Sequence, residues 1–396
     1  MSQDFDILIA GAGVAGASVA AALCVRGVAP APRIALLAEG FAPQPAAASD
    51  WDLRVFALGR ASQHLLQATG AWQAIPAARR RPYERMCVWD AADAPDSPAA
   101  LRFDAAELNE PDLGHIVEGP ALQWAALEAA RRAGVAFIQA RITGLNVDAG
   151  GARVQLADAR RLRAGLVIGA DGANSALRAL AGIGAQGHAY HQHGLVTHVR
   201  TAQPHRNTAW QRFLPDGPLA LLPIDAQRCS IVWSLPAPRA LQLCEVDGAA
   251  FEAALLQASA GVLGACELAA ARASFPLQLR YADEYVRPRL ALLGDAAHAV
   301  HPLAGQGLNL GLRDAAALVQ VLAAAPAGSL GELAVLRRYE RERKADNLLA
   351  GAAFDGLNRL FSNDDPLLKR MRSAGLRAVG RLPPLKALFA RAALGD

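Results

Sequence analysis

The sequence predicts an α/β fold: a discontinuous, Rossmann-like nucleotide-binding domain, a second domain that is mainly an antiparallel sheet, and a helical C-terminal region. Three observations predict it. An apolar run, Phe5 to Ala10, leads into Gly11-Ala12-Gly13-Val14-Ala15-Gly16 and a small-residue helix to about Val25. A second apolar strand, Gly165 to Ala170, leads into Asp171-Gly172-Ala173-Asn174-Ser175-Ala176-Leu177-Arg178. A third, Leu290 to Leu293, opens the stretch Gly294-Asp295 to Arg313-Asp314, which becomes an alanine-rich helix from Leu308 to about Ala325. Turns near positions 11, 171 and 295 that suit one ligand require a domain assembled from distant pieces.

The first element reads as strand, glycine turn, helix, strand and acid. Gly11 permits the tight turn, Gly13 lets a pyrophosphate approach the backbone beside Ala15, and Gly16 lets helix and strand pack closely. The second strand, Arg33 to Ala38, ends in Glu39, which can accept hydrogen bonds from ribose hydroxyls. This pattern indicates a dinucleotide without choosing between NAD and FAD. In the second element Asp171 and Gly172 follow the strand, and Asn174 or Ser175 can cap the helix that follows. In the third, Asp295 after Gly294 can hold a sugar hydroxyl. The turn containing Pro302, Gly305 and Gly307 then exposes backbone N–H groups of Gly307, Leu308 and Asn309 at a helix N-terminus, which carries partial positive charge. A polyol chain at one point and developing negative charge at another describe a flavin.

Between these elements, residues 76–100 and 182–275 carry alternating patterns such as Leu195 to Arg200 and Cys229 to Leu235. Turns interrupt them at Pro204, Pro215-Asp216-Gly217-Pro218 and Pro236, which favours an antiparallel sheet roofing the substrate pocket. The expected division assigns 1–75, 101–181 and 276–329 to the nucleotide-binding domain, 76–100 and 182–275 to the substrate domain, and 330–396 to a helical region.

Composition narrows the function classes. A net charge of +4 with scattered basic residues gives no case for nucleic acid. Five cysteines, Cys24, Cys87, Cys229, Cys244 and Cys266, lack paired spacing, so reduced thiols in a cytoplasmic protein are expected. The chain enters a strand at once, so no targeting segment is expected, and no run has the ~18–20 apolar residues of a membrane span. No Ser-His-Asp or metal constellation is visible, so no metal is expected.

The stretch His301 to Asp314 resembles the signature of the ubiquinone-biosynthesis hydroxylases, which are FAD-dependent aromatic monooxygenases. Other blocks resemble the family in order over nearly the whole chain: Asp52-Leu53-Arg54-Val55, Leu113-Gly114-His115-Ile116-Val117-Glu118, Tyr190-His191-Gln192, Thr208-Ala209-Trp210-Gln211-Arg212-Phe213 and Gly217-Pro218-Leu219-Ala220-Leu221-Leu222-Pro223. Asp171 to Arg178 resembles a second motif of flavoprotein hydroxylases.

The resemblance implies a para-hydroxybenzoate-hydroxylase-like architecture, FAD as cofactor, and NAD(P)H or another electron donor as reductant. It implies that molecular oxygen, activated as a C4a-hydroperoxyflavin, hydroxylates the ring of a polyprenylated phenol or benzoquinol. Arg54 and Gln123 match family positions on the cofactor side, although for Arg54 a structural ion pair competes with a flavin contact. His301, a residue type that titrates near neutrality, is the expected ring-activating group, with Tyr190 and Gln192 lining the roof; the competing reading has His301 packing the turn before Pro302. His298 is expected near the flavin ring as well. Where the family commonly has a polar residue after Glu118, this chain has Gly119-Pro120, which puts a side-chain contact there in doubt.

From Pro366 to Asp396, Lys369, Arg370, Arg372, Arg377, Arg381, Lys386 and Arg391 are interleaved with apolar residues. Such basic amphipathic helices lie on anionic membranes or dock on their own domain. The reading thus includes peripheral contact at the inner membrane face, other quinone-biosynthesis enzymes as partners, and a homo-oligomer. Two other functions stay open: an NAD(P)H-dependent hydroxylase of a small soluble aromatic compound, and a flavin-binding scaffold of a biosynthetic complex.

Overall fold

The computed structural model describes residues 3–46, 50–148, 150–300 and 306–361. Its first sheet has a parallel centre in the order Leu290–Leu292, Arg161–Gly169, Gln3–Ala10, Ile34–Ala38, Ala136–Gln139. These strands are apolar along their length because both faces are covered, and Ile7, Leu8 and Ile9 are fully buried. The helix Val14–Val25 is buried nearly all round. Its small residues let it lie against the helices Gly119–Arg132 and Gln306–Ala323 at once.

The chain leaves Gln3–Ala10 for a neighbour on one side, Ile34–Ala38, and returns on the other as Arg161–Gly169. The carboxyl ends of the two central strands therefore meet at a topological switch point, where open parallel sheets bind ligands.

The second sheet contains Arg85–Asp90, Leu101–Asp104, Ala185–Thr201, Thr208–Leu214, Gly217–Pro223, Arg228–Pro236, Cys266–Leu268, Ala273–Ala282 and His298–Ala299. It is antiparallel apart from one parallel pair, Thr208–Leu214 with Arg85–Asp90. One face packs on the helices Ala237–Glu245 and Gly248–Ala258 to form a separate core of Leu195, Leu219, Ile231, Trp233, Phe251 and Leu255. The opposite face is directed at the first domain.

Strand pairing moves the boundaries read from the sequence. Leu101–Asp104 pairs with Arg85–Asp90, and Ala273–Ala282 pairs with Ala185–Thr201, so 101–104 and 276–282 belong to the second sheet. Arg80–Tyr83 instead joins Val55–Leu58 and Gly114–Glu118 in a three-stranded sheet. Sheet membership is decided by a hydrogen-bonding partner distant in sequence, and no local turn signal marks those positions.

The helix Leu333–Phe361 closes the described chain, and its Tyr339 hydroxyl donates to the Leu292 carbonyl at 2.7 Å. The basic segment beyond Pro366 lies outside the described residues, as do His301, Pro302 and Gly305.

Candidate active site

A cavity of about 1270 Å³ lies between the switch point and the second sheet. Pockets for one small ligand usually measure roughly 300–1,000 Å³, so this one has room for an extended dinucleotide and a second molecule. Its walls include Gly11, Gly13, Ala15, Glu39, Arg54, Gln123, Asp171, Gly172, Gly294, Asp295, Gly307 and Leu308. Residues spread over almost three hundred positions of sequence thus face one space.

At the first turn the glycines do different things. Gly11 has φ +108°, and a Cβ there would stand 2.2 Å from the Ala170 carbonyl oxygen. A Cβ on Gly16 would stand 2.0 Å from the Gly11 oxygen. Both glycines are demanded by protein backbone, and Gly16 lies behind the turn, outside the cavity wall. Gly13 meets nothing within 4 Å and faces open space. The Gln123 amide donates to the Ala12 carbonyl at 2.9 Å and holds the turn from the neighbouring helix.

The second segment is braced by Asp171, which accepts from Ser175 Oγ at 2.5 Å and from the Leu177 N–H at 3.0 Å. Ser175 in turn caps the helix Ala176–Leu180 by accepting from the Arg178 N–H. Arg178 joins the second segment to the third: its guanidinium donates to the carbonyls of Ala173 and Ala296 at 2.9 and 2.8 Å.

The third segment is held from beneath by Asp314, which is completely buried. One carboxylate oxygen takes the Gly294 N–H at 3.1 Å and His298 Nε2 at 2.5 Å; the other takes Arg343 Nε at 2.9 Å and Asn347 Nδ2 at 3.0 Å. Burial alone would raise the Asp314 pKa, but His298 and Arg343 outweigh it and bring it down to about 2. Asp295 shows the reverse balance. Its side chain reaches the cavity yet is otherwise surrounded by protein, and that desolvation raises its pKa against the opposing pull of His298 and Arg54.

The roof is the inward face of the second sheet. Opposed residues form a row Val196, Val232, Ala220, Gln211 across four strands, with Leu222, Ala209 and Met86 in the next row. Phe275 lies at its edge, its ring against Gly194, where a Cβ would be 2.9 Å from the ring. Among the roof residues that line the cavity, Gln211 and Ser234 carry the polar side chains; Ser230 and His198 share this face but lie off the cavity wall, with His198 Nε2 against the Asp52 carbonyl at 3.0 Å. Tyr83, at its side, has a hydroxyl pushed up to about 12 by burial, with Asp112 adding to the effect.

Several expected residues stand elsewhere. Tyr190 and Gln192 are not in the cavity wall. The register slips between Ala189 and His193, His191 takes φ +55°, and the alternation that would aim both inward is broken. The Gln192 amide donates to the Asp216 carbonyl, and Tyr190 packs edge-on against His188 with ring centres 4.7 Å apart. Asn309 is buried off the wall: it accepts from the Gly59 N–H and Ser62 hydroxyl and donates to the Ala57 carbonyl, tying its helix to the segment after Arg54. His298 is also buried, against Asp314 with Tyr285 stacked at 6.0 Å, so it supports the third segment from below.

Gly119 has its own reason. Its N–H donates to the Arg54 carbonyl at 2.7 Å, and a Cβ would meet that oxygen at 2.9 Å and the Arg54 side chain at 3.1 Å. The glycine lets the Arg54 segment rest on the helix N-terminus, with Pro120 supplying the first-turn geometry.

Residues 4–347 match the family model described as FAD binding domain. The chain is 39% identical over 402 residues to 3-demethoxyubiquinol 3-hydroxylase of Escherichia coli, covering 100% of this chain and 99% of that one. It is 39% identical to ubiquinone hydroxylase UbiL of Rhodospirillum rubrum, over 98% of this chain and 89% of the relative. Among solved structures, PqsL, a probable FAD-dependent monooxygenase from Pseudomonas aeruginosa, has the same fold: TM-score 0.76 at 24% identity, covering 94% of this chain and 99% of that one. The chain belongs to the ubiquinone-biosynthesis hydroxylases, a family of FAD-dependent monooxygenases.

Proposed function

We propose that this protein hydroxylates the ring of a polyprenylated phenol or benzoquinol in ubiquinone biosynthesis, the class of reaction named by its Escherichia coli relative. One observation carries the reading. A single cavity runs from the acid at the end of the second strand, Glu39, past Asp295, to the apolar roof of Val196, Ala220, Leu222 and Val232.

The residues fit FAD. Space is open above Gly13 and Gly307, a helix N-terminus begins at Gln306, and acids stand at both ends of the nucleotide half. Gly13 and Ala15 would take the pyrophosphate, Glu39 the ribose, and Asp295 the ribityl chain. The N–H groups of Gly307 and Leu308 would meet the ring edge that becomes negative on reduction. Arg54 would face the cofactor across the cavity, close enough to Asp295 to lower its pKa. Asp171 and Gly172 support this site from the second segment.

Bound flavin, once reduced, supplies the activation of oxygen that the reaction needs. The protein's part is to orient the ring beneath the sheet, exclude water and keep charge at the flavin edge. NAD(P)H or another donor is the reductant in this reading. The basic region after Pro366 makes peripheral contact with the inner membrane face, where a polyprenylated substrate resides. No helix among the described residues is long and apolar enough to cross a membrane.

The test is product formation from 2-farnesylphenol by FAD-loaded protein with reductant and oxygen, together with quinone analysis of cells lacking the protein. A hydroxylated product and an accumulated precursor are expected. Unchanged quinone with turnover of a small soluble phenol instead moves the assignment to the soluble-substrate hydroxylase. Bound FAD with no oxygen-dependent product from either moves it to a scaffold.

A further inference from the structure

We infer that Gln211 is the roof residue that recognises an oxygen substituent on the substrate ring; this rests on the function proposed above. The strand Thr208–Leu214 alternates in the usual way, so Ala209, Gln211 and Phe213 share one face. That face is turned to the cavity and is otherwise built from apolar residues. Directly opposite Gln211 stand Ala220 on one side and Val88 on the other, and Val232 and Val196 continue the row.

Gln211 is only 6% exposed and lines the cavity, and its side-chain amide forms no hydrogen bond among the described residues. A buried amide usually finds a partner in its own protein, because leaving one unmade is costly. An amide set in an apolar wall, without a protein partner and facing the cavity, is placed to bind a ligand. Pockets of this type gain orientation and specificity from a few polar groups in an apolar lining. A carboxamide both donates and accepts, so it matches a phenol, a quinol hydroxyl or a carbonyl oxygen. Neighbouring Arg212 is excluded from this role: its guanidinium is on the opposite face, donating to the carbonyls of Gln257, Ala258 and Ala91. Ser234 is the other polar side chain of the roof that lines the cavity, nearer Phe275 and Gly194.

The test measures ligand binding to the FAD-loaded protein by equilibrium dialysis, without turnover. Two pairs of rings are compared, each with and without the hydroxyl: 2-farnesylphenol against farnesylbenzene, and 2-methylphenol against toluene. Wild type is expected to prefer the hydroxylated ring of a pair by about tenfold, the value of one hydrogen bond made in a buried site. Q211M should bind the hydrocarbon as wild type does and lose the preference, with an unchanged unfolding midpoint, since no protein group loses a partner. S234A should keep the preference. The inference is overturned if Q211M retains the preference, weakens both rings alike, or if S234A alone abolishes it. Should only the tail-free pair bind wild type, the polyprenylated substrate class fails, while the same comparison still decides the role of Gln211. Equal binding of hydroxylated and plain rings by wild type overturns it directly.

Discussion

Two glycine turns meet in this cavity, and they are held by opposite means. The turn at Gly11 to Gly16 is fixed by backbone contact: two missing Cβ atoms let three chain segments touch, and no buried charge takes part. The turn at Gly294 to Asp295 is fixed by a buried carboxylate, Asp314, that gathers a backbone N–H, a histidine, an arginine and an asparagine. A sterically set turn should depend on side-chain volume and ignore pH. An electrostatically set turn should respond to charge, while Gly294, at φ +57°, needs its glycine for backbone conformation and not for space.

The strongest way to break this contrast is Gly11→Ala. A Cβ 2.2 Å from a carbonyl, at a positive φ, cannot be relieved without separating the two central strands. A loss of at least about 4 kcal/mol is expected in urea unfolding, a size reserved for strain of this type. Gly13→Ala is its partner control. That site is open and has φ −70°, so stability should hold within about 0.5 kcal/mol while the flavin-to-protein ratio of the purified protein falls. Similar stabilities for the two variants would remove the steric half of the contrast.

Next is Asp314→Asn, which keeps the shape and removes the charge. It removes the buried carboxylate from the Arg343 guanidinium, which keeps only the largely solvent-exposed Asp346 as an acidic partner among the described residues, and breaking such a buried pair costs about 3 kcal/mol or more. Arg343→Met should cost a comparable amount, and the double variant less than the sum of the two. Additive losses in calorimetry would mean that the charges do not act as a unit.

The smallest expected effect is the acid limb of stability. Asp314 binds its proton less readily folded, at about 2, than unfolded, near 3.8. Its contribution is present above pH 4 and is lost as pH falls through 3.8 towards 2; a difference of that size between the two states amounts to roughly 2 kcal/mol. Glu118 has a raised pKa, chiefly from burial, and acts with opposite sign: its contribution to stability declines as pH rises through its titration. Unfolding titrations of Asp314→Asn should therefore show a flatter limb between pH 4 and 2. An unchanged limb would assign acid unfolding to other carboxylates.

The two turns are also unequally legible. Gly11, Gly13 and Gly16 carry their roles in their spacing, because each role depends on the local path of the backbone. Asp295 and Gly307 can be read in the same way. Asp314 stands in the same run, yet nothing local marks its role, since Arg343 and Asn347 reach it from a helix about thirty residues later. The resemblance puts Tyr190 and Gln192 in the roof, but the irregularity between Ala189 and His193, with His191 at φ +55°, leaves both outside the cavity wall. Gln211 gives one local sign: a polar residue at an inward position between Ala209 and Phe213.

Sequence located the strands and glycine turns of the nucleotide-binding half, because these elements act over a few residues and their geometry follows from backbone sterics. The substrate half required the assembled fold. Whether an alternating strand shows its polar member to solvent, to a core or to a cavity depends on which distant strands and helices cover each face. For that reason the apolar roof, the isolation of Gln211 and the buried clasp on Asp314 emerged only once the two sheets were brought together.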